Sequence, residues 1–303
     1  MVPVPTPARG RATTRRARES RTGLVLSLPA AAVVGVFFLL PVGLAAWMSL
    51  NHWPLLGEPR FSGPDNYLAI GDDELFGDAV WFTAKYTAIT TVILFLLAFG
   101  MALLVQRSRP GIGLVRTAYF LPASVGLSAA SLLWFAIYRE DVGPLADVLA
   151  WLGIVDQPVN WLGSPDGALW STVLMVAWRF AGFQMLILLT GLQSIPSDVY
   201  EAATIDGAGW WSAMRHITLP LMRPTIALVL VLSVTGSVLA FEQFYLLTGG
   251  GPDNSTVTVV MVLYRQAFTL LDLGVAAAMS VVVLFALVAG NVLQLSLIRR
   301  GER

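Results

Sequence analysis

Long apolar runs separated by short polar stretches organise this chain. Six of them, near residues 24–50, 80–105, 118–138, 169–192, 226–247 and 273–298, can cross a hydrocarbon core, which takes about 20 helical residues. The short alternating strands of a membrane barrel do not occur, so the elements predicted are helices. Pro29, Pro41, Gly43, Pro122, Gly126 and Gly236 fall inside the runs. Spanning helices tolerate such residues once neighbouring helices satisfy the freed backbone groups. The fold class expected is all-α: a polytopic membrane helical bundle with six transmembrane helices. The first run is much longer than the roughly 7–15 apolar residues of a secretory signal, so it is read as an uncleaved anchor. Arg15-Arg16 lacks the apolar residues that follow a twin-arginine signal pair.

The polar connections set the orientation. Arginines gather in residues 1–22, at Arg107, Arg109 and Arg116, at Arg215 and Arg223, and at Arg299, Arg300 and Arg303, in alternate connections. The intervening connections carry Glu58, Asp65, Asp72, Asp73, Glu74 and Asp78, then Glu140, Asp141, Asp147, Asp156 and Asp166. By the positive-inside rule both termini are cytoplasmic. Residues 1–22 form a basic cytoplasmic tail suited to anionic lipid, and 23–303 form one membrane domain. In the outer connections "LADVLAWLGI" fits a brief amphipathic helix, "LLTGGGPDNST" a sharp turn, and "VVMVLYRQAF" a helix leading into the last run.

Composition removes several classes of function. The chain is 56% hydrophobic and only 13% charged, against about 25% charged residues in soluble proteins. Its formal net charge of zero argues against nucleic acid as a partner. Cysteine is absent, which excludes thiolate chemistry. The glycines at 249–251 lack the Lys-Ser/Thr of a phosphate loop, and the only lysine is Lys85, so this chain does not hydrolyse ATP. His52 and His216 fall on opposite sides of the membrane and cannot share a metal. No metalloprotease or serine-hydrolase motif is present, so the chain is not read as an enzyme.

One polar interruption is unusual. "EAATIDGAGWWSAMRHITLP", residues 201–220, lies on the inner face and mixes carboxylates with small and aromatic residues. Pro196, Ser197 and Asp198 mark a helix start with a capping oxygen and an acidic first turn, and Gly207 allows a sharp exit. Ala202 and Ala203 let a partner surface come close, while Glu201 and Asp206 offer acceptors to its basic groups. Trp210, Trp211, Met214 and Ile217 are expected to pack the returning segment onto the bundle. The alternative is an interfacial helix that only turns the chain.

Together with Leu221, Met222, Arg223 and Pro224, this stretch resembles the EAA loop of binding-protein-dependent ABC importer permeases: Glu-Ala-Ala, Asp-Gly-Ala, Ile-x-Leu-Pro, then Pro224. Met214 departs from the Phe common in the carbohydrate-uptake branch. "LTGGGPDNST" and "YRQAF" are similar to the maltose-type first permease, and "YRQAFTLLDLGVAAAMS" to the permease of glycerol-3-phosphate importers. The resemblance implies a type I importer permease of the bacterial plasma membrane, paired with a second permease, cytoplasmic ATPase subunits and an extracytoplasmic solute-binding protein. ATP and magnesium would sit on the ATPase, with no cofactor on this chain. It also implies that residues 193–224 form the coupling loop, in which Glu201, Ala202, Ala203, Asp206 and Gly207 meet the ATPase. The solute expected is polar and organic, with glycerol 3-phosphate or a glycerophosphodiester such as glycerophosphocholine preferred to a sugar or oligosaccharide. An ATP-independent secondary transporter is the more distant alternative.

Charged and amide side chains inside spans cost insertion energy, about 2.5–3.5 kcal/mol for a charge at mid-helix, so they are candidates for the solute pathway. These are Arg179, Gln184, Glu242 and Gln243, with Trp134 as a stacking face. Arg179 and Glu242 could instead form a structural ion pair. Lys85 is placed near a span end, from which it can snorkel.

Overall fold

A computed structural model describes residues 26–300 apart from 55–56, 108, 140–142 and 154–158; the basic tail and part of the second acidic connection lie outside the described residues. Helix α1, Leu26–Met48, comes first. It widens into a π turn at Gly35–Leu39, just before Pro41. Proline has no N–H to donate and its ring crowds the preceding turn, and the widening accommodates both. A two-residue antiparallel pair, β1 (Asn51–His52) with β2 (Arg60–Phe61), and helix α2 (Asp65–Gly71) lead into α3, Glu74–Val105. The carboxylate of Asp73 caps α3 by accepting from Phe76 N–H, so this helix starts well before the apolar run does.

Helices α4 (Ile112–Phe120) and α5 (Leu127–Tyr138) follow, joined through a 3-10 turn at Leu121–Ser124. Then come α6 (Pro144–Trp151), at the "LADVLAWLGI" segment, and α7 (Pro165–Gln193), capped by Ser164. Beyond these lie α8 (Ser197–Ile205), α9 (Trp210–Leu221), α10 (Arg223–Val238), α11 (Glu242–Leu247), α12 (Val259–Phe268) and α13 (Leu273–Arg300). Like α1, α9 places a π turn, Met214–Thr218, just ahead of a proline, Pro220.

Four of these helices (α1, α3, α7 and, within α13, Leu273–Ile298) are long and apolar enough to cross a membrane. Two bent pairs raise the number to as many as six: α4 with α5, turning by 94°, and α9 with α10, turning by 70°. The continuous helices expected over 118–138 and 226–247 are therefore corrected. The first breaks at Ser124–Gly126; the second ends at Val238 and restarts at Glu242. Each break frees carbonyls in an apolar setting, and in each a side chain takes one up. Arg179 Nη1 donates to Ala123 O at 3.1 Å, and Thr258 Oγ1 to Ala240 O at 2.6 Å. Irregular backbone at membrane depth survives only with such partners.

Helix α7 is the most enclosed span and organises the bundle. Along α3, Leu94 is buried with Met175, Val176 and Ala181 of α7, and Ala98, Ala102 and Val105 with Met185, Leu188 and Leu192. Between helices in lipid there is no hydrophobic drive, so close backbone approach at small residues carries the packing. Gly182 shows this directly, since a Cβ there would collide with the carbonyl oxygen of Tyr119 at the end of α4. Gly182→Val is expected to cost about 3 kcal/mol, the upper end for overpacking, because backbone rather than a flexible side chain would have to move. Thermal unfolding of the detergent-purified protein, followed by size-exclusion recovery, checks this; an unchanged midpoint contradicts the crossing. At the opposite end of the bundle from α8, Phe82, Tyr86 and Phe244 make edge-to-face contacts at 5.2 and 4.8 Å.

Candidate functional site

Two places collect the residues singled out in the sequence. The first is α8, a nine-residue knuckle at one end of the bundle. Pro196 occupies its N-cap position with extended dihedrals, and no side chain supplies the expected capping bond; Ser197 Oγ instead reaches Asp198 Oδ1 at 3.4 Å. Its exit matches the expectation. Gly207 sits at φ +79°, its N–H donates to Thr204 O at 3.1 Å, and Ala208 N–H donates to Ala203 O at 2.8 Å. This is a Schellman ending, which needs a residue free to enter the left-handed region.

The knuckle has two unlike faces. Tyr200 OH meets Thr218 Oγ1 at 2.9 Å, which ties α8 to α9, and Ala203 lines a cavity of about 630 Å³ between them with Met214 and Trp210. Glu201, Ala202, Asp206 and Gly207 face outward and are exposed. Among the described residues no ion pair or hydrogen bond engages the carboxylates of Glu201 and Asp206. Ile205 is 86% exposed beside them, an apolar side chain the sequence reading did not pick out. Trp210 and Trp211 were expected to pack inward; they touch each other edge to face at 4.6 Å but are 57% and 77% exposed. Met214 does bury. An exposed apolar and acidic surface on an otherwise tethered helix is suited to docking a partner.

The second place is a cavity of about 210 Å³ inside the bundle, at the break between α10 and α11. Gln184 of α7, with Glu242 and Gln243 of α11, line it together with Tyr86, Phe180, Ser233, Ser237 and Phe241. Gln184 Nε2 donates to Ser233 Oγ at 2.8 Å, and Gln243 Nε2 to Tyr86 OH at 3.5 Å. Both amides are 4% exposed, and their Oε1 atoms have no hydrogen-bond partner. Glu242 Oε2 accepts from Ser128 of α5 at 2.7 Å. The cavity thus offers acceptor oxygens, serine hydroxyls and aromatic faces, and no Lys, Arg or His lines it. Ser233 and Ser237, a pair four apart on one helix face, went unremarked in the sequence because serine is ordinary in membrane helices.

Arg179 and Trp134 lie outside this lining. The Arg179 guanidinium bonds to Ala123 O and lies 4.6 Å over the Phe180 ring. It makes no direct ion pair with Glu242, but the two opposite charges still attract each other at longer range. Trp134 packs against Trp178 and Tyr138 at 5.7 and 5.2 Å. Lys85 Nζ is 3.6 Å from Asp166 Oδ1, both side chains largely in the open, a contact of little energetic consequence.

Residues 113–302 match the model of the binding-protein-dependent transport system inner membrane component family, and the chain belongs to that family. It is an ABC importer permease, an inner membrane component of such a transport system. Among its relatives is the trehalose/maltose transport system permease protein MalF of Thermococcus litoralis, 33% identical over 87% of this chain and 89% of that one. Another is the sn-glycerol-3-phosphate transport system permease protein UgpA of Yersinia enterocolitica, 31% identical over 92% of this chain and 94% of that one. The fold is shared with a solved bacterial alginate ABC transporter in complex with alginate pentasaccharide-bound periplasmic protein, at a TM-score of 0.79 and 21% identity, covering 94% of this chain and 96% of that one.

Proposed function

We propose that this chain spans the bacterial plasma membrane six times, with α8 and both termini cytoplasmic, and imports a neutral polyhydroxylated solute, a sugar or short oligosaccharide. The observation that carries the solute class is the lining of the 210 Å³ cavity: two buried amide oxygens without partners, a carboxylate, and no cation. Sugar hydroxyls donate to such acceptors, whereas a phosphate brings acceptors of its own and a negative charge that Glu242 repels. Glycerol 3-phosphate remains the second reading, favoured by the 31% identity to a permease named for it. Under that reading Arg179 would have to leave Ala123 to reach the solute.

In this reading a second permease completes the pathway, an extracytoplasmic binding protein delivers the solute, and paired ATPase subunits hold ATP and magnesium while this chain binds no cofactor. The outward face of α8, with Glu201, Ala202, Asp206, Gly207 and Ile205, docks on the ATPase. Ala203 lets the knuckle lie close to the base of the bundle. Closure of the ATPases then moves α8, and through Tyr200 and Thr218 the bundle, in alternating access.

Gln184→Leu keeps the side-chain volume and removes an acceptor that a hydroxyl would use. The KM for a transported saccharide is expected to rise about tenfold, as for loss of one buried hydrogen bond, while the binding protein's own affinity is unchanged. Uptake into proteoliposomes holding the whole importer checks this. An importer that accepts glycerol 3-phosphate and refuses every neutral saccharide overturns the sugar reading.

A further inference from the structure

A ladder of aromatic rings leaves the transmembrane cavity and ends at a second cavity. Phe241, in the lining of the first, stacks on Tyr245 with centroids 5.1 Å apart and planes 21° apart. Tyr264 of α12 lies 5.2 Å from Phe241 and 5.4 Å from Tyr245, and Phe268 lies 5.1 Å from Tyr264. The sequence builds this simply: Phe241 and Tyr245, like Tyr264 and Phe268, are four residues apart, so each pair shares one side of its segment. Tyr245 and Tyr264 line a cavity of about 430 Å³ at the end of the bundle away from α8.

The lining is mostly apolar, and its charged and amide members, Asp73, Arg265 and Gln266, are each held by a hydrogen bond. Gln266 Nε2 reaches Asp73 Oδ2 at 3.5 Å, while Asp73 Oδ1 caps α3. Arg265 Nη1 donates to Asn254 Oδ1 at 3.0 Å. Tyr245 lines this cavity and is 44% exposed, so part of its ring is open to a ligand there. Exposed aromatic faces beside fixed carboxylate, amide and guanidinium groups match the two sides of a pyranose, an apolar C–H face and a hydroxyl edge.

We propose that this outer cavity is a second saccharide subsite, with Tyr245 and Tyr264 as its stacking platform, and that the ladder passes sugar rings on to the transmembrane cavity. The proposal rests on the sugar reading above. It implies that the ladder matters most for solutes long enough to occupy both cavities.

The test uses the whole importer in proteoliposomes with its binding protein, offered α- and β-linked di- and trisaccharides and, separately, glycerol 3-phosphate. Tyr264→Ala is expected to lower kcat/KM about tenfold for a transported trisaccharide and clearly less for its disaccharide, with Tyr264→Trp restoring the trisaccharide. Tyr245→Ala, on the neighbouring helix, should give the same split and guards against a folding defect peculiar to α12. Equal losses for all solutes, or no rescue by Trp, identify a packing role and overturn the subsite. Wild-type behaviour of both alanine variants, with Gln184→Leu still impaired, overturns the subsite and leaves the sugar reading standing. Wild-type uptake of no saccharide overturns both.

Discussion

Gly207→Pro and Glu201→Lys are each expected to leave the permease inserted and assembled while uptake falls to background and ATP hydrolysis no longer follows solute supply. Proline holds φ near about −65° and has no N–H. Gly207 needs φ +79° and donates to Thr204 O, so the substitution removes the bond and forbids the conformation together. The damage is local, because Gly207 is exposed and nothing lies within 4 Å of where a Cβ would be. What changes is the direction in which the chain leaves α8, and with it the aim of the knuckle held by Tyr200 and Thr218. Glu201→Lys acts differently. The carboxylate is exposed and engages no group among the described residues, so reversing its charge should change folding stability by less than about 0.5 kcal/mol. Any loss of transport then belongs to the surface it meets. Uptake and ATPase activity in proteoliposomes, with size-exclusion to confirm assembly, check both; undiminished uptake by the two variants removes the docking role from α8.

The sequence located the long helices well because hydropathy over a window of residues reports how much oil a segment needs around it. Helix α1 ends within two residues of the expected boundary, and the last span coincides with 273–298. Hydropathy carries no direction, and the 94° turn between α4 and α5 was hidden although Pro122 and Gly126 mark the place. The break after Val238 left even less trace, since "VLAFEQF" contains neither glycine nor proline. It is sustained by Thr258, eighteen residues further on, whose hydroxyl takes the Ala240 carbonyl. Such tertiary support has no local signature. The same limit governed the sites. Gln184, Glu242 and Gln243 were legible because polar groups in spans are costly, and they do converge. That argument treats Arg179 identically, and only geometry separates a side chain in a cavity from one that mends a broken helix. On α8 the carboxylates, the small residues and the glycine exit were legible, but the exposure of Ile205, Trp210 and Trp211 was not, since apolar side chains are expected inside unless a partner covers them.

Arg179→Ala should therefore depress uptake of a neutral and an anionic solute by the same factor, about tenfold or more, and lower thermal stability with it. The substitution leaves Ala123 O without its donor at a half-buried turn, a penalty of about 1 kcal/mol, the lower end for an unsatisfied group. The Phe180 contact at 4.6 Å is lost as well. The 94° bend between α4 and α5 then loses the bond that ties it to α7, and Ser128, which meets Glu242 at the cavity edge, is carried on the segment that would move. Distortion of that kind does not discriminate between solutes. Glu242→Gln provides the contrast: it keeps the shape and an acceptor for Ser128 while removing the negative charge from the cavity. Under the sugar reading it should ease any residual uptake of an anionic solute more than that of a neutral one, with little change in melting temperature. Measuring both variants against one neutral saccharide and glycerol 3-phosphate, with unfolding midpoints alongside, separates the assignments. If Arg179→Ala abolishes anion uptake while sparing the saccharide and the midpoint, Arg179 contacts the solute and the support of the α4–α5 turn must come from elsewhere.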